Sequence, residues 1–294
     1  MWSEKIAPKA PYDFRRALQR LAFDPIQVID LERLEIMVPL YIRNNPVVAS
    51  VKSIGTVEEP VMLVTCKEDR FKKETINRVI DLFHFDVSLA EVYEHFKGSE
   101  LERLVEQFYG IPVVRDFSVY NCLAKCIIHQ QLNLKFAFTL TERFVKSFGY
   151  EKEGVWFYPS PETVSELSYE QLREMQFSQR KAEYLIDTSR LIDSGELRLE
   201  EFDKMENQAI FDKLVKIRGI GPWTAESILL FGLGRENVFP VGDVGLQNAI
   251  KHLYGRSEKP KADEVRKMAR NWEPYASYAA LYLWESLGNQ VVRS

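Results

Sequence analysis

The hydrophobic period of this chain changes once, and that change limits the folds open to it. Between residues 31 and 66 the apolar residues alternate or run in short β-branched blocks: LERLEIMVPLYI (31–42), VVASVKSI (47–54) and VMLVTC (61–66). Asn44-Asn45-Pro46 and Glu58-Glu59-Pro60 separate the blocks with turn formers. Such blocks predict strands. In 68–86 the spacing becomes helical, with Phe71, Ile76, Val79, Ile80 and Phe83 on one side. From about residue 100 almost every segment is helical in pattern. Candidate helices are 89–96, 100–109, 117–131, 134–148, 168–175, 178–194, 208–216, 222–232, 244–254, 262–271 and 275–287. Breaks fall at Gly110-Ile111-Pro112, Gly149 to Pro161, Gly219 to Gly221 and Gly255 to Pro260. The expectation is a mainly α protein: an α+β N-terminal domain over 1–110, then an all-helical body over 111–294.

Composition removes several classes. A chain of 294 residues with 46% hydrophobic and 28% charged residues has enough apolar material for a core, so large-scale disorder is excluded. Three cysteines are too few for a disulfide scaffold. Cys122 and Cys126 share a helix face, but no third cysteine or histidine pair lies near, so they read as core residues rather than a zinc site. A reducing cytoplasmic location fits, nucleoid-associated in a bacterium. The first ten residues carry three charges and no apolar leader region, and no apolar run is long enough to span a membrane. The net charge of −4 argues against a basic nucleic-acid packager, although a local basic surface stays possible.

Such a surface surrounds one motif. Ile217-Arg218-Gly219-Ile220-Gly221-Pro222 places two glycines between two helical patterns. Pro222 suits a first helical position, where its missing N–H is not needed. The Gly219 and Gly221 amides can then face outward beside a helix N-terminus, a natural phosphate-binding arrangement. From Lys213 to Lys261 there are eight Lys/Arg against four acids, the balance of a surface that meets a nucleic-acid backbone. The same six residues could also form a plain helix–turn–helix connection.

The longer pattern is more specific. Leu214 to Ala225 reads L-x-x-I-x-G-I-G-x-W-T-A, and Val238 to Leu246 reads V-F-P-x-x-D-x-G-L. Together they resemble the helix-hairpin-helix DNA glycosylase superfamily, and within it the bacterial DNA-3-methyladenine glycosylase II type. AKCIIHQQLN (124–133), FSQRKAEYLI (177–186), WEPYASYA (272–279) and Pro11-Tyr12-Asp13-Phe14 add to the likeness. It extends over nearly the whole chain, most weakly in the N-terminal third. The resemblance implies a small antiparallel sheet with flanking helices, then a helix-hairpin-helix glycosylase body with an active-site cleft. It also implies a partner, damaged double-stranded DNA, from which an alkylated base such as 3-methyladenine is flipped and released in base excision repair.

Roles follow from the matching positions. Asp243 matches the family's catalytic aspartate. Read as a residue alone, it is also a favourable N-cap for 244–254, and the two roles are compatible. Cleavage of an N-glycosidic bond builds positive charge on the sugar, which a fixed carboxylate stabilises while it orients water. Trp223 stands where strand-cutting relatives carry a nucleophilic lysine, and no lysine lies between Arg218 and Arg235, so a monofunctional enzyme is expected. No cysteine follows Cys126, which excludes the four-cysteine iron–sulfur cluster of some relatives.

Trp223, Trp272 and Tyr275 are the aromatic candidates for holding an electron-poor base; each could instead be packing. Trp156 and Trp284 are assigned to packing. Gly219, Gly221, Thr224 and Arg218 are expected to meet DNA. Gln131, with Gln130 and Leu132 beside it, is the candidate to fill the gap left by the flipped base; some relatives carry leucine at that place. In this family hairpin carbonyls, here Val215, Ile217 and Ile220, can hold a Na or K ion, and no other cofactor is expected. His84, His95, His129 and His252 are read as structural. A monomer is expected. Two alternatives stay open: the same fold acting on deaminated or other damaged purines, and a non-catalytic DNA-structure-binding protein.

Overall fold

The computed structural model describes residues 1–291. Strands β1 (Trp2–Ile6), β2 (Val28–Asp30), β3 (Glu35–Ile42), β4 (Asn45–Ser53) and β5 (Met62–Cys66) form one antiparallel sheet in the order β1-β5-β4-β3-β2. Alternation in β3 turns Ile36, Val38, Leu40 and Ile42 inward, and Val38 opposite Ala49 and Leu40 opposite Val47 fix the register. Burying each of these large aliphatic side chains contributes about 1.5–3 kcal/mol. That face packs against α1 (Phe14–Leu21) through Phe14, Ala17 and Leu18, and against α2 (Lys72–Phe83) through Val79, Leu82 and Phe83.

The remaining helices surround a second, larger core: α3 (Leu89–Phe96), α4 (Glu102–Gln107), α5 (Val119–His129), α6 (Leu134–Phe148), α7 (Pro161–Ser165), α8 (Tyr169–Glu174), α9 (Gln179–Asp193), α10 (Asn207–Leu214), α11 (Pro222–Ser227), α12 (Val244–Leu253), α13 (Ala262–Ala269) and α14 (Ala276–Val291). Helix α5 is central, with six consecutive core positions interrupted only by Lys125. Cys122 and Cys126 are buried and free, in agreement with their reading as core residues. No helix among the described residues is long and apolar enough to cross a membrane.

The body is not purely helical, which corrects one expectation. Gly149 to Pro161 contains β6 (Tyr150–Lys152) and β7 (Val155–Phe157), an antiparallel hairpin. Its Val155 and Phe157 close over Val48 and Met37 on the second face of the sheet. Tyr41 and Tyr150 share a hydroxyl hydrogen bond of 2.9 Å. The hairpin strands are three residues each, too short for a visible two-residue period. Strands β1 and β2 and helices α1 and α7 are further elements beyond the sequence-based expectation. The helix expected over 222–232 is α11 followed by a widened π-type turn at Ile228–Gly232.

One segment joins the two cores. Arg115 is buried; its guanidinium donates to the Gly232 carbonyl at 2.9 and 3.2 Å and pairs with Asp81 of α2. The next residue, Asp116, donates its amide to the Phe231 carbonyl at 2.8 Å. This strap brings the sheet layer against the π-type turn, and the site is built at that seam.

Candidate active site

The turn between α10 and α11 is tight because Gly219 has φ +92°, a conformation that disfavours side chains. A Cβ at Gly219 would lie 2.2 Å from the Tyr184 ring of α9, so glycine is also required by close packing. Gly221, by contrast, is an extended N-cap whose added Cβ would meet nothing within 4 Å. The Gly219 carbonyl accepts from Gln130 Nε2 at 2.9 Å, and the same nitrogen donates to Thr224 Oγ1 at 3.2 Å. The end of α5 is thereby tied to the hairpin. Gln131 follows at φ +54°, exposed, between α5 and α6; Leu132 is half-buried against the helical core.

Asp243 is the N-cap of α12. Its Oδ1 accepts from the Leu246 amide at 2.8 Å. The same oxygen accepts from Trp284 Nε1 of α14 at 3.0 Å, and Oδ2 accepts from Trp223 Nε1 of α11 at 2.9 Å. Three N–H donors from three helices therefore hold one half-buried carboxylate. A Cβ at Gly245 would lie 2.9 Å from Asp243 Oδ1, so the glycine two residues on leaves room for this arrangement. A carboxylate offers about four acceptor positions. Oδ1 uses two and Oδ2 one, which leaves Oδ2 able to take a further donor.

Beside it lies a cavity of about 240 Å³, between α1, the 114–117 strap, α5 and α11. Trp223 and Phe231 form part of its wall, and Phe231 stacks on Trp284 at 5.7 Å between centroids. The cavity and the carboxylate thus share Trp223, and Trp284 backs the cavity wall from behind Phe231. The wall also carries Asp24, Asp116 and Lys125. Lys125 pairs with Asp116 Oδ1. Burial disfavours the ammonium charge, but Asp116, Cys122 and Asp24 outweigh it and raise the lysine pKa above its ordinary value. His129 is pushed down to about 3, by burial first and then by Lys125 and Lys181, so it is neutral near pH 7. Its Nε2 shares a hydrogen bond of 3.1 Å with Thr141.

Residues 124–274 match the family described as the HhH-GPD superfamily of base excision DNA repair proteins. This chain belongs to that superfamily. It is 49% identical over 288 residues to YfjP of Bacillus subtilis (strain 168), a protein provisionally named as a DNA-3-methyladenine glycosylase; the match spans 98% of this chain and 100% of that one. It is 33% identical to another Bacillus subtilis (strain 168) protein named DNA-3-methyladenine glycosylase, over 84% of this chain and 88% of that one. Among solved structures, a 3-methyladenine DNA-glycosylase from Archaeoglobus fulgidus superposes with a TM-score of 0.83 at 26% identity, covering 97% of both chains.

The HhH-GPD signature converges in space: Gly219, Ile220, Gly221, Trp223, Thr224 and Asp243 all lie between α10 and the start of α12. Several expected residues lie elsewhere or are already engaged. Trp272 is fully buried, tilted against Phe239 at 4.9 Å between ring centroids, with its Nε1 donating to Glu100 Oε1 at 3.0 Å; it faces neither the cavity nor Asp243. Tyr275 sits edge-on to His95 and is not part of the cavity wall. Both belong to the turn before α14, where a buried anchor is needed to end one helix and start the next. Thr224 is buried, its hydroxyl turned to Gln130 rather than to solvent. Arg218 is exposed but paired with Glu183 and lying 5.3 Å over the Tyr184 ring. The Ile217 carbonyl accepts the Ile220 amide at 3.0 Å.

Two elements of the site escaped sequence reasoning. From sequence Trp284 reads as packing, because nothing local separates it from other apolar positions of α14. The Asp116–Lys125 pair had a visible signal, a lysine inside the apolar stretch Leu123–Ile128, and its partner lay nine residues away.

Proposed function

We propose that this protein is a monofunctional DNA glycosylase that removes an alkylated purine such as 3-methyladenine from duplex DNA. The observation that carries the reading is the Asp243 carboxylate. It is fixed by Leu246, Trp223 and Trp284 at a helix N-terminus, one indole away from a cavity below the ~300–1,000 Å³ of drug-sized sites, a volume that suits one base.

The extruded base enters the cavity and packs against Trp223 and Phe231, which attract an electron-poor or cationic ring. As the C1′–N bond breaks, its electron pair leaves with the base and positive charge develops on the sugar. Asp243 stabilises that charge, and the spare acceptor position on Oδ2 orients a water. The water oxygen bonds to C1′, its proton passes to the carboxylate, and the products are a free base and an abasic site. The hairpin at Gly219–Gly221 anchors the DNA backbone, and Gln131, exposed and in a left-handed conformation, fills the gap in the stack.

The lack of lyase chemistry rests on two residues. Trp223 occupies the place of the lysine found in strand-cutting relatives. Lys125 does reach the cavity, but its pairing with Asp116 keeps it an ammonium, without the lone pair a Schiff base requires. The possible hairpin cation has only backbone oxygens as donors: Val215, Ile217 and Ile220. Ile217 keeps a lone pair after accepting the Ile220 amide, and neutral carbonyls suit a weakly held Na or K ion. Such an ion would supply positive charge next to a DNA phosphate.

The test is base release from methylated duplex DNA by the wild type and by Asp243→Asn, with the bases identified. Wild-type release of 3-methyladenine, lost in the variant with DNA binding retained, is the expected result. Undiminished release by Asp243→Asn would remove the carboxylate from the mechanism. Borohydride should trap no covalent enzyme–DNA adduct, and strands should break only after alkali.

A further inference from the structure

Asp116, on the cavity wall, carries a buried acceptor without a hydrogen-bond partner among the described residues. Asp116 Oδ1 is paired with Lys125, while Oδ2 is buried and has no hydrogen-bond partner among the described residues. A buried carboxylate oxygen without a donor is costly, which makes it a place to look for a ligand. The other carboxylate on the wall is different. Asp24 Oδ1 accepts from the Ile26 amide at 3.3 Å and Oδ2 from Gln27 Nε2 at 3.4 Å, so both of its oxygens are engaged. Asp116 is also held firmly, by its own amide on the Phe231 carbonyl and by Lys125.

We infer that Asp116 determines base specificity, with Oδ2 accepting an N–H from the exocyclic amino group of an extruded 6-aminopurine. The inference rests on the glycosylase reading above and deepens it. Oδ2 can only accept, and on an adenine alkylated at N3 the amino group is the only N–H the base carries in DNA. Alkylation places positive charge on that ring and its amino nitrogen, so the bond is charge-assisted. A base whose N6 bears no hydrogen presents a lone pair to the same oxygen and is repelled.

Asparagine at this position reverses the polarity. Lys125 has only donors, so the amide carbonyl turns to Lys125 and the amide N–H₂ takes the place of Oδ2. The experiment compares single-turnover release of 3-methyladenine and 1,N6-ethenoadenine, whose N6 has no hydrogen, by the wild type and Asp116→Asn. The expected result is a fall of about 10- to 100-fold in the 3-methyladenine to ethenoadenine rate ratio, with affinity for abasic DNA unchanged. An unchanged ratio in a folded variant overturns the assignment. Should Asp116→Asn not fold, product inhibition of the wild type decides: free 3-methyladenine should inhibit at least about tenfold better than 3-methylpurine, its analogue without the amino group. Equal inhibition refutes the role of Asp116. Release of neither alkylated base by the wild type removes the glycosylase reading itself, and the assignment with it.

Discussion

Trp223 links two aspartates, donating its Nε1 to Asp243 and lining the same cavity as Asp116, and the two are held in opposite ways. Asp243, at the start of α12, is surrounded by neutral donors: one amide and two indoles. Asp116, in the strap between the sheet and α5, is tied on one oxygen to an ammonium and bare on the other. Neutral donors fix a carboxylate without cancelling its charge, which suits a group that must stabilise a cationic sugar. An ion pair cancels most of the charge and leaves a directional acceptor, which suits recognition of a base edge. The difference between the regions is thus one of partners, not of residue type.

The largest expected effect separates the two. Asp243→Asn should lower the release of every substrate by at least about 10²–10³-fold, since it weakens the group facing the developing charge. Asp116→Asn should re-rank substrates while release of the favoured one stays measurable. If Asp243→Asn merely re-ranked substrates, the division between a reacting and a recognising carboxylate would fail.

Next come the tryptophans. Trp284→Phe keeps an aromatic ring against Phe231 but removes the donor to Asp243 Oδ1. A hydrogen bond to a charged group is worth about 1.5–3 kcal/mol, so kcat should fall about 10- to 100-fold. Trp272→Phe removes a donor to Glu100 in the core instead. It should lower stability by about 1–3 kcal/mol and leave turnover per folded molecule unchanged. Swapped outcomes, measured by thermal melts and single-turnover rates, would restore Trp272 to the site and remove Trp284.

Glu226 offers a pH test. It lies on α11 three residues after Trp223, and its pKa is raised from 4.5 to about 7, chiefly by burial and further by Asp243, with Arg266 opposing. Folded protein therefore binds the proton more tightly than unfolded chain. The stabilisation is complete below about pH 4.5 and is lost as pH rises through about 7. Glu226→Gln should match the wild type at pH 4.5 and be more stable by up to about 2–3 kcal/mol at pH 8.5. Parallel denaturation curves at both pH values would show that Glu226 is already ionised in the folded state.

How much of this was readable from the sequence depends on range. Strands β3 to β5 and the long helices were legible because their apolar period is local, and α3 and α6 were bounded to the residue. The three-residue strands β2, β6 and β7 carried too few residues to show a period. The turn at Gly219–Gly221 and the N-cap position of Asp243 were legible because one short stretch of sequence holds both. The partners of Trp284 and Asp116 were not, because they meet only when α14 packs at the start of α12 and the strap packs on α5 and the π-type turn. Trp272 was misplaced for the complementary reason: an aromatic in a familiar motif satisfies its N–H in the core as readily as in a cleft.

The smallest effect tests the hairpin, where the two glycines stand in contrast. Gly219→Ala must place a Cβ against the Tyr184 ring at positive φ, and should cost about 1–3 kcal/mol of stability. Gly221→Ala meets no atom within 4 Å and an ordinary φ of −92°, so stability should change by less than about 0.5 kcal/mol. Its methyl group would nevertheless project where the proposed DNA backbone approaches the first amides of α11. A loss of a few-fold in affinity for abasic duplex DNA, with an unchanged melting temperature, is the expected outcome at Gly221. Unchanged affinity would mean that the open side of the hairpin faces solvent in the complex, and that the phosphates are held elsewhere along the basic stretch from Lys213 to Lys261.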